Sequence, residues 1–281
     1  MKKLCTLQQN KLRKILIKFL YSKGYKNVIH KESFIIAEGE LPICLIAHMD
    51  TVFRYEPEEF FYDSQKKMLW APGGAGFDDR VGIYMILNLI EKGYKPSVVF
   101  TDKEETGGIG ARELVVAFPE CPFKDCRALI QLDRANKNDA VYYNCGNTAF
   151  ENWVEKYGFK FDWGTFSDIS IIAPQWRIAA VNLSVGYIDE HTESERLYCG
   201  WCDANIRKVE KMLKDSPSIM SYSYIPGGNN RFAPRYHKIN CLICGTEITK
   251  KEEGTFIPDK DFPYYVCNKC YIDYYLNDEM K

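Results

Sequence analysis

No stretch of this 281-residue chain approaches the roughly 20 consecutive apolar residues that a membrane-crossing helix needs. Net charge is nearly absent too. With 37 Lys and Arg against 38 Asp and Glu, the formal charge is −1, so no global field draws the chain to nucleic acid or anionic lipid. There is no internal repeat, and low-complexity and collagen-like composition are missing. At 46% hydrophobic and 14% aromatic, the chain carries the apolar surface that disordered sequences lack. These absences leave a globular protein whose function sits in local sites.

Near the N-terminus, Leu12, Ile15, Leu16, Phe19 and Leu20 recur at helical spacing, which reads as an amphipathic helix and not as a signal peptide. Eleven cysteines are present, six of them in three Cys-x-x-Cys pairs. That usage suits metal sites in a reducing compartment better than a disulfide framework, and a cytoplasmic location is expected. Cys5, Cys44, Cys121, Cys126 and Cys145 read as small apolar residues.

Short apolar runs alternate with helical patterns as far as about residue 214, the signature of a mostly parallel sheet covered by helices. Strands are expected over 43–47, 97–101, 128–132 and 179–185, and helices over 7–21, 79–92, 109–117, 147–157 and 204–214. The fold class is α/β, a three-layer α/β/α arrangement over residues 1–215. From 216 to 238 the composition shifts to Ser, Pro, Gly and Asn without apolar periodicity, which predicts a linker. Residues 239–281 form a separate small module with four cysteines, no arginine, five lysines and eight acidic residues. The oligomeric state is not legible.

Each expected strand end runs into residues that bind hard or borderline metals. Residues 43–47 lead to His48-Met49-Asp50, with imidazole and carboxylate two apart on one side of an extended segment. Such a carboxylate can orient a ligating imidazole. Asp78-Asp79 opens a helix, Glu104-Glu105 follows the second strand, Asp133 follows the third, and His191 lies beyond the fourth. Singly, these are capping groups, charged turns or satisfied histidines. Together they place ligand types where open α/β sheets bind ligands, at the carboxyl ends of strands. Two histidines and three carboxylates, with one glutamate over, suit two zinc ions sharing a carboxylate and leave room for a water. Manganese or cobalt suits the same donors. His30 and His237 have no ligand-spaced partner.

The runs His48-Met49-Asp50-Thr51-Val52, Asp78-Asp79-Arg80-Val81-Gly82, Glu104-Glu105-Thr106-Gly107-Gly108-Ile109-Gly110-Ala111, Asp133 and His191-Thr192 resemble the co-catalytic di-zinc exopeptidase superfamily. That superfamily includes tripeptidase T, carboxypeptidase G and the zinc aminopeptidases, and the similarity covers about residues 7–214. It implies that His48 and Asp133 hold one zinc, Glu105 and His191 the other, and that Asp78 bridges them; the family pattern Asp-x-Lys/Arg-x-Gly selects Asp78 over Asp79. It further implies Asp50 as the orienter of His48 and Glu104 as the general base. Only 58 positions separate Asp133 from His191 (191 minus 133), too few for the lid domain that some members insert there. A lid-less, aminopeptidase-like hydrolase of peptide or aminoacyl substrates is therefore expected. The alternatives are an N-acyl amino acid deacylase, or an inactive adaptor acting through the C-terminal module.

In that module, Cys241-x-x-Cys244 and Cys267-x-x-Cys270 have the spacing of a structural zinc ribbon, which supplies the staple that so small a unit needs. A third zinc ion is expected there. The ribbon is acidic, lacks arginine and holds tyrosines at 264, 265, 271, 274 and 275, which favours a protein contact over nucleic acid. Cys199-Gly200-Trp201-Cys202 has the letters of a redox dithiol but not its first strand-to-helix turn, so structural thiols are the expectation there.

Overall fold

A computed structural model describes residues 1–227, 239–240, 244, 246–248, 254–257 and 264–271. Cys241 and positions 228–238 of the expected linker lie outside these residues. The chain divides into two compact units, Met1–Pro226 and Gly227–Lys281.

The helices of the first unit are α1 (Lys2–Cys5), α2 (Gln9–Ser22), α3 (Phe77–Glu91), α4 (Ile109–Ala117), α5 (Thr148–Glu155), α6 (Ile169–Trp176) and α7 (Cys199–Asp215). Its strands are β1 (Val28–His30), β2 (Phe34–Ala37), β3 (Leu41–His48), β4 (Phe61–Asp63), β5 (Met68–Trp70), β6 (Pro96–Thr101), β7 (Ala128–Arg134), β8 (Asp139–Val141), β9 (Lys160–Phe161), β10 (Ala180–Ser184), β11 (Tyr187–Ile188) and β12 (Arg196–Tyr198). Eight of them form one sheet in the order β1-β2-β6-β3-β7-β10-β8-β9. The central run β6-β3-β7-β10 is parallel throughout. A second sheet, β11-β12-β5-β4, stands apart from it.

Successive strand residues point to opposite faces, and here both faces are buried. Ile43, Leu45 and Ala47 of β3, Val98 and Phe100 of β6, and Ile130 and Leu132 of β7 join one core with Leu12 and Leu16 of α2, Val81 and Met85 of α3, and Val209 and Met212 of α7. Cys44, Ile46, Val99 and Leu129 face the other way, onto Leu114 of α4 and Ile172 and Trp176 of α6. The architecture is the expected three-layer α/β/α one. Among the described residues, no helix is long and apolar enough to cross a membrane.

Register decides where the strands deliver their ends. His48 of β3 pairs with Thr101 of β6, and Leu132 of β7 pairs with Leu183 of β10. Their carboxyl ends therefore lie side by side, a row on which the loops carrying the acidic motifs converge.

Two departures from the sequence reading stand out. Helix α6 is unmarked in the sequence because it is short, contains Pro174 and buries Ile169, Ile172, Ala173 and Trp176 with little polar contrast. The linker expected from residue 216 does not begin there, since the chain stays on the first unit to Pro226. Ala179 N–H donates to Tyr222 O at 2.8 Å, Tyr222 N–H to Arg127 O at 3.0 Å and Tyr224 N–H to Arg177 O at 3.0 Å. The Tyr222 ring packs on Phe150 at 5.2 Å. An extended segment held by backbone hydrogen bonds and a few anchors needs no apolar period, so composition alone mimics a linker.

In the second unit, β13 (Ile239–Asn240) pairs antiparallel with β14 (Glu247–Ile248), and β15 (Gly254–Ile257) with β16 (Tyr264–Cys267), which runs into α8 (Asn268–Tyr271).

Helix α3 approaches β7 through Gly82, where an added Cβ would lie 1.8 Å from Leu132 O. Because the obstacle is backbone, Gly82→Ala is expected to lower stability in urea by at least about 2 kcal/mol. An unchanged midpoint would show that α3 does not seat this closely.

Candidate metal centre

The parallel strands supply the rigid part of the site. His48 is the last residue of β3 and is buried, and Asp133 stands near the end of β7. After β6 the chain turns sharply at Lys103, and the Glu104 carbonyl accepts the N–H groups of Gly107 and Gly108, each at 2.9 Å, before α4 begins. Gly107 and Gly108 have φ of +94° and +67°, conformations that glycine adopts without strain. Asp78 sits where α3 has not yet settled: Asp78 and Asp79 have non-helical dihedrals and are joined by a cis peptide bond. His191 comes from a loop beyond β11 and remains 49% exposed, in contrast to His48.

Asp78 is central. Its Oδ1 lies 3.0 Å from His48 Nε2 and its Oδ2 lies 3.1 Å from His191 Nε2. Asp133 Oδ1 approaches the same His48 nitrogen at 3.4 Å, and Glu105 Oε2 approaches the same His191 nitrogen at 3.0 Å. Two imidazoles, each with its own carboxylate, are thus joined through one shared carboxylate. Asp50 Oδ1 faces the opposite nitrogen of His48, Nδ1, at 3.3 Å. The Asp50 carboxylate also accepts the N–H groups of Glu104 and Glu105, each at 3.1 Å, tying the turn after β6 to the end of β3. Six of the seven residues expected from the first unit's sequence are joined by these side-chain contacts, and the seventh, Glu104, is tied to them through its N–H on Asp50. Beside them opens a cleft of about 810 Å3, lined by Gln9, Arg13, Asp50, Val52, Lys103 and Glu105 among others.

Burial and charge act against each other here. Burial alone would raise Asp78, but hydrogen bonds from His191 and His48 outweigh it and hold its carboxyl below the usual range. Burial raises Glu104 to about 9 and, reinforced by Asp78, Asp133 to about 7. Hydrogen bonds to Asp78 and Glu105 raise His191 to about 11. For His48, burial favours the neutral ring, yet Asp133, Asp50 and Asp78 together push its pKa up. So concentrated a negative potential draws in positive charge.

The residues fit a cation pair by donor chemistry. Single ligand atoms from His48, Asp78 and Glu105, and from His48, Asp79 and Asp133, form two groups whose members lie within 4.8 Å of one another. Glu105 Oε1 is buried without a hydrogen-bond partner, an arrangement that costs free energy unless something positive meets it. Of the two adjacent aspartates, Asp78 spans the histidines. Asp79 is turned into the fold, where it accepts His48 N–H at 3.1 Å and Gly82 N–H at 2.8 Å.

Several supporting residues went unseen in the sequence. Glu195 is fully buried and accepts the N–H groups of Ala75, Phe77 and Asp78, each at 3.0 Å, so it fixes the loop that presents Asp78. Nothing distinguishes it from Glu190 and Glu193 in the same acidic run. Asp133 is held by Gln131 Nε2 at 2.9 Å, Asn182 Nδ2 at 3.2 Å and Ser167 Oγ at 3.3 Å. Here a signal existed: Gln131 and Asn182 interrupt otherwise apolar strands. Asp168 is also fully buried and accepts from Thr101 Oγ1.

In the second unit, the sulfurs of Cys244, Cys267 and Cys270 lie within 4.8 Å of one another, with Cys244 and Cys267 3.7 Å apart. At the start of α7, burial pushes the thiols of Cys199 and Cys202 up, the reverse of what an activated dithiol needs.

No family model matches the chain, and no curated protein matches it in sequence. Solved structures do resemble it. The aminopeptidase PepT from Bacillus cereus superposes with a TM-score of 0.62 at 14% identity, covering 77% of this chain and 96% of that one. A tripeptidase from Staphylococcus aureus gives 0.59 at 15% identity, covering 75% and 95%. A TET aminopeptidase from a marine-sediment thaumarchaeon gives 0.58 at 13%, covering 76% and 95%. At such identities the likeness establishes the fold that this chain shares with these structures, and no more than the fold.

Removing the Glu195 carboxylate strands three buried N–H groups, each costing about 1–3 kcal/mol. Glu195→Ala is expected to lose at least about 3 kcal/mol in urea denaturation, and Glu195→Gln, which keeps a carbonyl acceptor, less. Equal stability of the alanine variant and the parent would mean that this carboxylate does not hold the loop.

Proposed function

We propose that the protein is a two-metal hydrolase that cleaves the peptide or amide bond next to a free amino terminus. The observation that carries this reading is the Asp78 carboxylate with one oxygen toward each of two imidazoles, flanked by Asp133 on one side and Glu105 on the other. His48 and Asp133 would hold one cation, Glu105 and His191 the second, with Asp78 shared. Zinc suits this mix of imidazole and carboxylate, and manganese or cobalt is compatible with it. When bound, such a pair lowers the pKa of water and polarises a scissile carbonyl.

The chain's own residues supply the rest. Asp50, facing His48 Nδ1 at 3.3 Å, would orient the ring from behind. Glu104 neighbours a ligand without being one, which leaves its carboxylate free to accept a proton from the attacking water and return it to the leaving amine. The interval from Asp133 to His191 is taken up by β8, α5, β9, α6, β10 and β11, all within the first unit, which supports a catalytic domain without an inserted lid. An open site of this kind favours aminopeptidase-like over carboxypeptidase-like action. In the second unit, Cys244, Cys267 and Cys270, together with Cys241, would hold a third, structural zinc, and the ribbon so formed would serve a protein contact. The cytoplasm is the compartment that fits the cysteine usage.

Elemental analysis of protein purified without chelator is expected to give about three metals per chain, two in the site and one in the ribbon. Aminoacyl amides with a free amine are expected to be hydrolysed and their N-acetyl counterparts not. Cleavage of only the acylated set would make the protein a deacylase, and a single zinc without hydrolysis would make the ribbon the working part. Glu104→Gln is expected to abolish turnover at near-normal metal content, since a positioned base contributes about 10²–10⁴-fold; full activity in this variant would refute its role. Replacing Cys267 and Cys270 with Ser is expected to remove one metal and leave hydrolysis intact, and loss of the catalytic pair instead would join the two units functionally.

A further inference from the structure

The segment between β9 and α6, Asp162 to Asp168, is pinned at both ends to the metal centre's framework. At one end, Asp162 pairs with Arg134 at 3.0 Å and its N–H donates to Ala140 O at 3.0 Å. At the other, Ser167 Oγ donates to Gln131 Oε1 at 2.6 Å and reaches Asp133 Oδ2 at 3.3 Å, while Asp168 accepts from Thr101, the last residue of β6. Phe166 stands between these anchors. Its ring leans on Gly108, where an added Cβ would lie 2.7 Å from Phe166 Cζ and 2.8 Å from Ile171 Cδ1. Gly108 itself donates to the carbonyl of Glu104.

A phenyl ring is thus held within one turn of Glu104 on one side and one residue from the hydroxyl that touches Asp133 on the other. It nevertheless remains 37% exposed, with Ile171 beside it at Gly108. The adjoining face is open: a Cβ built on Gly107 meets nothing within 4 Å. An ordered apolar wall beside an open backbone face, next to reacting groups, is how sites bind and orient an apolar group with few polar contacts.

We propose that Phe166 and the open face over Gly107 form the pocket for the side chain of the residue whose carbonyl is attacked, and that they select a medium to large apolar side chain there. The assignment rests on the hydrolase reading above and adds the substrate class. The cleft on the Asp50 side is lined by Gln9, Arg13 and Lys103 with Val52 as its one aliphatic residue, and it has no aromatic ring in its lining.

The test compares kcat/KM for leucine amide, alanine amide and lysine amide with the metal-loaded protein, its Phe166→Ala variant and its Phe166→Leu variant. The parent is expected to favour leucine amide over the other two. One methylene in an apolar pocket is worth about 10–200-fold, so the leucine-to-alanine ratio should fall about tenfold or more in Phe166→Ala and stay within about threefold in Phe166→Leu. A parent that favours alanine or lysine amide overturns the assignment whether or not either variant folds, as does an unchanged ratio in a folded Phe166→Ala protein. A dimer that Phe166→Ala dissolves, with the preference unmoved, would show the ring to be an interface and overturn it as well. If the loaded parent cleaves none of the amides, the hydrolase reading fails, and this assignment falls with it; cleavage without apolar preference removes the assignment alone.

Discussion

Everything at the carboxyl edge of the sheet answers to one constraint: too many acids share too little water. Asp50, Asp78, Asp79, Glu104, Glu105 and Asp133 gather around His48, and most of them are buried. Desolvation and mutual repulsion disfavour their ionised forms together, so positive charge must be present among them. His48, His191, Asp79 and Glu104 all respond with raised proton affinities. A pair of divalent cations would meet the same demand more fully. The protein's task is to keep these groups from relaxing apart.

It does so with the sheet. Parallel strands packed on both faces leave little freedom to β3 and β7, and the contact of α3 with Leu132 through Gly82 sets the height at which Asp78 and Asp79 arrive. The two halves of the centre are built differently. His48 and Asp133 stand on strands, whereas Glu105 and His191 come from a turn and a loop, and His191 keeps half of its surface in water. One half is framework and the other is approach.

The sequence makes the framework legible because physics writes it in periodic form. Fully buried parallel strands read as continuous apolar runs, and β3, β6, β7 and β10 were expected within a few residues of where they lie. The cluster of histidines and carboxylates was legible because strand ends and helix starts are marked by chemistry, His48 through His191 in order. Less visible was whatever depends on distance in space and not on spacing along the chain. Glu195 acts on a loop 117 residues or more earlier, and its neighbours in sequence look the same. Helix α6 carries a proline and too little polar contrast to announce itself, and residues 216–226 wear a linker's composition while completing the first unit. Gln131 and Asn182 could have been found, since a polar side chain in a buried strand must have a partner there.

The carboxylates that set the site's shape are caught mostly by main-chain N–H groups. Glu195 takes those of residues 75, 77 and 78, Asp50 those of 104 and 105, and Asp79 those of 48 and 82. A peptide N–H is the same whatever side chain is attached to it, save in proline. The bonds that orient the centre therefore do not depend on the identity of the side chains on the residues that donate them. A scaffold wired through its backbone is compatible with a fold shared at only 13–15% identity.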